Sequence, residues 1–149
     1  MSNGLLLSGL PIPPSENAAY ATNFRTKRRF RTNDLSRFQM LMLSYRQANL
    51  QKCKLFESTI SEWIQANREL MITCVYYLHP TRVYTKDGRL KKKDVSNLNK
   101  AMHDSIGDIL GFDDRHIKVM TSIREVHENE SASVIIEGYS RDAMPLLIS

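Results

Sequence analysis

The chain has only two cysteines, Cys53 and Cys74, in 149 residues. Their spacing fits no structural metal pattern, and a chain of this length buries an adequate core without cross-links. Two free thiols in a reducing compartment is the expectation. No segment approaches the roughly 20 apolar residues that a membrane-spanning helix needs. The opening MSNGLLLSGLPIPP has a short apolar run, but no basic leader precedes it and prolines interrupt it. No signal peptide is therefore expected, and the location should be cytoplasmic. There is no internal repeat, no low-complexity tract and no glycine-rich phosphate loop. No two of the four histidines stand at H-x-x-x-H spacing. No serine or cysteine has the surroundings of a catalytic nucleophile. Disulfide scaffolds, membrane proteins and nucleotide-loop enzymes are thereby set aside, and no small-molecule cofactor is implied.

Acidic residues are scarce where basic ones gather. Residues 1–100 carry 17 Lys and Arg against 7 Asp and Glu, whereas residues 101–149 carry 4 against 9. The excess sits in two runs. RTKRRFR contributes Arg25, Lys27, Arg28, Arg29 and Arg31, and RVYTKDGRLKKK ends on Lys91, Lys92 and Lys93. Clustered cations interleaved with Phe24, Phe30 and Tyr84 suit a phosphate backbone. A single run of this kind is ordinarily a solvated loop. Two runs flanking a carboxylate motif favour nucleic acid.

Periodicity predicts one domain over 1–149. LLLSGL (Leu5 to Leu10) reads as a strand, and PIPPSENAAY as a proline-rich turn with no helix before Ser15. Residues 20–32 are expected to form an exposed basic loop. Leu35, Phe38, Met42 and Tyr45 fall on one helical face, with Asn33 or Asp34 as N-cap. Phe56, Ile60, Trp63 and Ile64 mark a second helix, and LMITCVYYLHP is a central strand. Asp87-Gly88 is a turn. A helix from about Val95 to Leu110 should stop at Gly111, with Val95, Leu98, Met102, Ile106 and Ile109 inward and Asn97, Lys100, Asp104 and Asp108 outward. HIKVMTSIREV and SASVIIEGYS read as two strands joined at a hairpin-like turn, Glu128 to Glu130, and 140–149 as a tail. The order β–α–α–β–α–β–β implies an α+β fold with a mixed sheet packed by helices.

The chemistry concentrates in KKKDVSNLNKAMHD and GFDD. Asp94 suits a helix N-cap, and Asp113-Asp114 suits a turn. Brought together, such carboxylates would repel and raise each other's pKa. Mg²⁺ relieves that repulsion and takes carboxylate oxygens. It also activates water and neutralises charge on a scissile phosphodiester. Lys100 would add positive charge near the phosphoryl oxygens.

Three stretches in order, PPSEN (Pro13 to Asn17), DVSNLNKAMHD (Asp94 to Asp104) and Asp113-Asp114, resemble the RusA-type Holliday-junction resolvases, small nucleases common in phages and prophages. That family shows PPS-x-N, then D-x-D-N-x-x-K-x-x-x-D, then a D-D pair about ten residues on. The resemblance runs from about Leu5 to the final strand. It implies a homodimer that binds a four-way DNA junction and nicks it symmetrically, using Mg²⁺ or Mn²⁺. Residue by residue, Asp94 and Asp114 match the catalytic aspartates, with Asp113 a further metal ligand. Lys100 matches the motif lysine, Asn97 the motif asparagine and Asn17 the asparagine of the N-terminal segment. Arg25, Lys27, Arg28, Arg29, Arg31 and Lys91 to Lys93 would hold the DNA backbone.

One position departs. Ser96 stands where the family has its second aspartate, and serine is a poor Mg²⁺ ligand. Asp104 is a distant substitute, and pairing with Lys100 four residues earlier is the better account of it. His116 is the histidine nearest the aspartate pair, as a weak candidate base. Two alternatives remain open: a junction-binding protein whose cleavage is weakened or lost through Ser96, and a small basic bridging protein. The polar face of the Asp94 helix argues against the latter.

Overall fold

The computed structural model describes residues 4–23, 25–26, 28–92 and 95–140, without the side chains of Glu16, Asn17, Tyr20, Asn23, Arg29, Phe30 and Arg31. Its centre is β4 (Arg68–Leu78), where β-branched and aromatic residues alternate cleanly between faces. Leu70, Ile72, Cys74, Tyr76 and Leu78 point into the core. The strand β6 (Ser131–Ser140) pairs antiparallel with β4 and adds Ala132, Val134 and Ile136 to the same face. On β6's other edge lies β1 (Leu5–Leu10), also antiparallel. On β4's other edge lies β5 (Ile117–Val126), which runs parallel to it.

The sheet order is thus β1-β6-β4-β5, a mixed four-stranded sheet in a single α+β domain. The hairpin-like junction expected between the last two strands does not form. Neighbours in sequence pair in about two-thirds of cases, but here β4, the most apolar strand, takes the place between β5 and β6.

Helices cover one face. α2 (Asn33–Ala48) buries Leu35, Phe38 and Met42, and α3 (Leu50–Gln65) buries Cys53 and Ile60. Thr32, rather than Asn33 or Asp34, caps α2: its Oγ1 accepts from the Leu35 N–H at 3.4 Å and donates to the Ala19 carbonyl at 3.1 Å. That hydroxyl joins α2 to the short α1 (Glu16–Ala19), a link that neither neighbouring candidate makes.

α5 (Asn99–Leu110) follows a 3-10 turn, Val95–Leu98, and closes the core. Leu98, Met102, Ile106 and Ile109 are buried, and Asn97, Lys100, Asp104 and Asp108 are exposed, as the periodicity predicts. Gly111 ends the helix at φ +72°, a left-handed conformation that glycine adopts without strain.

The expected basic loop over 20–32 is instead a hairpin. β2 (Tyr20–Asn23) and β3 (Arg28–Arg31) pair from Tyr20↔Arg31 to Asn23↔Arg28. Ladder bonds belong to the backbone, so a cation-rich segment can form them despite weak strand propensity. A one-turn helix, α4 (Pro80–Val83), continues from β4. Cys53 and Cys74 are both buried and free. Among the described residues no helix is long and apolar enough to cross a membrane.

Candidate nucleic-acid interface

The two halves of the motif lie at opposite ends of α5. Its 12 residues make it about 18 Å long.

At the N-terminal end, a short polar chain enters the core. The Tyr76 hydroxyl donates to Asn99 Oδ1 at 2.7 Å, and Asn99 Nδ2 donates to Ser122 Oγ. Tyr76 is fully buried, and burial beside Cys74 pushes its phenol far above the ordinary range. This chain ties the first residue of α5 to the parallel pair of strands, β4 and β5. No sequence signal marks it: Tyr76 reads as a core aromatic, and Asn99 and Ser122 stand 23 residues apart.

Beside this end opens a cleft of about 630 Å³. Pro13, Phe38, Leu78 and Leu98 lie in its walls, each of them buried. Its described lining carries five cations, Arg37, Arg82, Lys91, Lys92 and Arg124, against two carboxylates, Asp34 and Glu130. Two of the cations are engaged. Arg82 pairs with Glu130 at 3.0 Å, and Lys91 Nζ donates to the Thr81 carbonyl at 2.7 Å.

Pro13, Pro14 and Ser15 of the N-terminal motif, Lys91 and Lys92 of the second basic run and Asn97 of the central motif meet in this one cleft. Ser96 is exposed on the 3-10 turn, and Lys100 is exposed on the first turn of α5. Asp94 and Lys93, bonded to Val95 and Lys92, lie outside the described residues, as do Lys27 and the side chains of Asn17, Arg29 and Arg31. Arg25 and Arg28 are exposed on the hairpin and are not part of the cleft's lining. Sequence reasoning missed Arg37, Arg82 and Arg124 as members of this group. Arg37 and Arg124 are single cations in an amphipathic helix and a strand, which carry no clustering signal.

At the C-terminal end of α5, Arg46 of α2 donates to the Ile109 carbonyl and pairs with Glu57 at 3.4 Å. This satisfies one of the carbonyls that a helix end leaves open. Asp113 and Asp114 follow, both exposed, at the start of a second 3-10 turn, Asp114–His116. Asp113 Oδ1 accepts from the Arg115 N–H at 2.9 Å. That bond, with the nearby charge of Arg115, holds the Asp113 carboxyl below its usual range. The expected mutual raising is thus reversed at Asp113, because a backbone donor stabilises its charged form. His116 is half-buried just beyond.

The two aspartates are adjacent hard-oxygen donors of the kind Mg²⁺ takes. Among the described residues, however, no three His, Cys, Asp or Glu side chains gather around one point. The pairing of Asp104 with Lys100 is not among the ion pairs of the described residues, and Asp104 is exposed along α5. Comparison with known proteins finds no family model that matches the chain and no curated protein that matches it.

Proposed function

We propose that the chain is a metal-dependent endonuclease that holds branched DNA, as a RusA-like homodimer acting on four-way junctions. The carrying observation is the cationic cleft in which Pro13–Ser15, Lys91–Lys92 and Asn97 come together from three separate parts of the chain. Two of the three stretches that resemble a junction resolvase thus meet a basic run, and a common polyanion gives them a reason to converge. Cations supply the sequence-independent part of DNA binding. Asn97, on the exposed face beside α5, is placed to orient a sugar or phosphate oxygen through its amide.

The candidate metal ligands are Asp94, Asp113 and Asp114. A bound Mg²⁺ would supply an activated water and neutralise charge on the scissile phosphodiester. Lys100 contributes a fixed positive charge to the same phosphoryl group. About 18 Å of helix separates Asn97 and Lys100 from Asp113 and Asp114, too far for the two halves of the motif to share one ion within one chain. A second copy related by a two-fold axis, its α5 antiparallel to the first, would complete the set twice, which gives the homodimer a chemical purpose.

The test is incubation with a synthetic four-way junction and Mg²⁺ or Mn²⁺. Paired symmetric nicks, abolished by Asp94→Asn and by Asp114→Asn, are the expected result. No cleavage with either cation refutes the reading.

A further inference from the structure

Four of the five cations in the cleft divide into two kinds. Arg82 and Lys91 are occupied by Glu130 and by the Thr81 carbonyl, so they shape the wall. Arg37 and Arg124 have neither an ion-pair nor a hydrogen-bond partner among the described residues, although both line the same cleft. They arrive from two different elements of the fold. Arg37 precedes the buried Phe38 on α2, and Arg124 lies on β5, directly opposite Tyr76 of β4.

Arg124 is therefore two residues beyond Ser122, on the strand that receives the hydrogen bond from Asn99. Residues two apart on a strand share a face, so this guanidinium is registered to the start of α5 by the polar chain itself. Arg37 is exposed on α2, whose backbone at this point is fixed by its buried neighbour Phe38. Each guanidinium presents five N–H donors in a planar fork that matches two oxygens of a phosphate. With five cations against two carboxylates, the described lining has a net charge of +3.

We propose that Arg37 and Arg124 form a two-sided clamp on the phosphodiester backbone of one DNA strand, fixing that strand at the N-terminal end of α5. The clamp rests on the endonuclease reading for its substrate but not for its chemistry. It holds phosphates whether or not the strand is cut. The two arginines are positioning residues. Lysine would keep the charge at either site and lose the paired hydrogen bonds.

The test is fluorescence anisotropy of a labelled four-way junction over a series of salt concentrations, without divalent cation. Wild type, Arg37→Gln, Arg124→Gln, the double variant, Arg124→Lys and the control Lys54→Gln are compared. Lys54 is exposed on α3 and is not part of the cleft's lining. Each arginine removed should lower the slope of log affinity against log salt by about 0.9, and the double variant by about 1.8. Arg124→Lys should keep the slope and lose affinity several-fold. A double variant with the wild-type slope, or a Lys54→Gln loss as large, overturns the clamp. An acidic peptide that competes as well as DNA of equal charge overturns the phosphate partner.

Cleavage, assayed separately with Mg²⁺, keeps the two proposals apart. A protein that binds through both arginines but never cuts sustains the clamp and refutes the nuclease. One that cuts with an unchanged salt slope does the reverse.

Discussion

Replacing Tyr76 with phenylalanine isolates the polar chain that anchors α5. The substitution removes one hydroxyl, leaves the ring and its packing in place, and opens no cavity of consequence at a position with no exposed surface. What it takes away is the donor at 2.7 Å from Asn99 Oδ1. Asn99 is half-buried against β4 and β5, with its amide nitrogen already committed to Ser122. Its carbonyl oxygen would stay inside without a partner, at a cost of about 1–3 kcal/mol. For a chain of this size that corresponds to a fall in melting temperature of about 2–12 °C. Urea denaturation should show a lower midpoint with an unchanged slope, because the surface exposed on unfolding is the same. A double-mutant cycle with Asn99→Ala should then return a coupling of at least about 0.5 kcal/mol. If Tyr76→Phe is neutral, or if the two substitutions simply add, the chain does not anchor the helix.

Mixing an Asp94→Asn protein with an Asp114→Asn protein tests the separation of the motif's halves: if a site takes Asp94 from one copy and Asp114 from the other, exchanged dimers regain one intact site and single-strand nicking returns. Continued inactivity in verified mixed dimers refutes the shared site. The Cys74 thiol is pushed up to about 11 from an ordinary 9.0, mainly by burial. The unfolded chain therefore releases this proton first, and stability should be nearly constant below about pH 8 and fall by about 2 kcal/mol between about pH 9 and pH 11. Urea midpoints against pH should lose that component in Cys74→Val, and an identical alkaline slope in both proteins would contradict it. Gly138→Ala places a Cβ 2.6 Å from Trp63 Cδ2, so overpacking should cost about 1–3 kcal/mol. Unchanged thermal stability would mean that Trp63 yields freely. Ser96→Asp restores a carboxylate on the exposed 3-10 turn and should raise the cleavage rate with Mg²⁺. No gain in rate would show that the ligand set is complete without it.

The parts of the fold legible in the sequence are those with one dominant period. β4 alternates without interruption, and α5 separates Leu98, Met102, Ile106 and Ile109 from Asn97, Lys100, Asp104 and Asp108. Burial alone decides such elements, so pattern suffices. The hairpin of β2 and β3 was hidden because its strands carry Arg28, Arg29 and Arg31, and its stability lies in ladder bonds that side-chain type does not reveal. The order of β5 and β6 was hidden for a different reason. A connection of four residues, 127–130, normally joins paired strands, yet here it passes the end of β4. Pairing partners depend on which strand is apolar enough to be central, a property of the whole set. At the candidate site, clustered lysines were visible and solitary arginines were not. Arg37 and Arg124 become a pair only when α2 and β5 are folded onto the same cleft.

This difference bears on how the motif should be understood. Asn97, Lys100 and Asp113-Asp114 form one continuous pattern along the chain, and continuity suggests one site. A helix converts that sequence distance into length: residues three or four apart remain neighbours on its face, whereas its ends are about 18 Å apart. On the proposed reading, the polar face of α5 acts as a spacer with a candidate group at each end. At one end lie the cleft and its cations, registered to the strands by Tyr76, Asn99 and Ser122. At the other lie two exposed carboxylates, held by the Arg115 amide and backed by the Arg46 bond to Ile109. An assembly in which the cleft end of one copy meets the carboxylate end of another would place phosphate-holding and metal-holding groups together twice, related by symmetry. Two such sites related by a two-fold axis are what paired nicking of a symmetric junction requires.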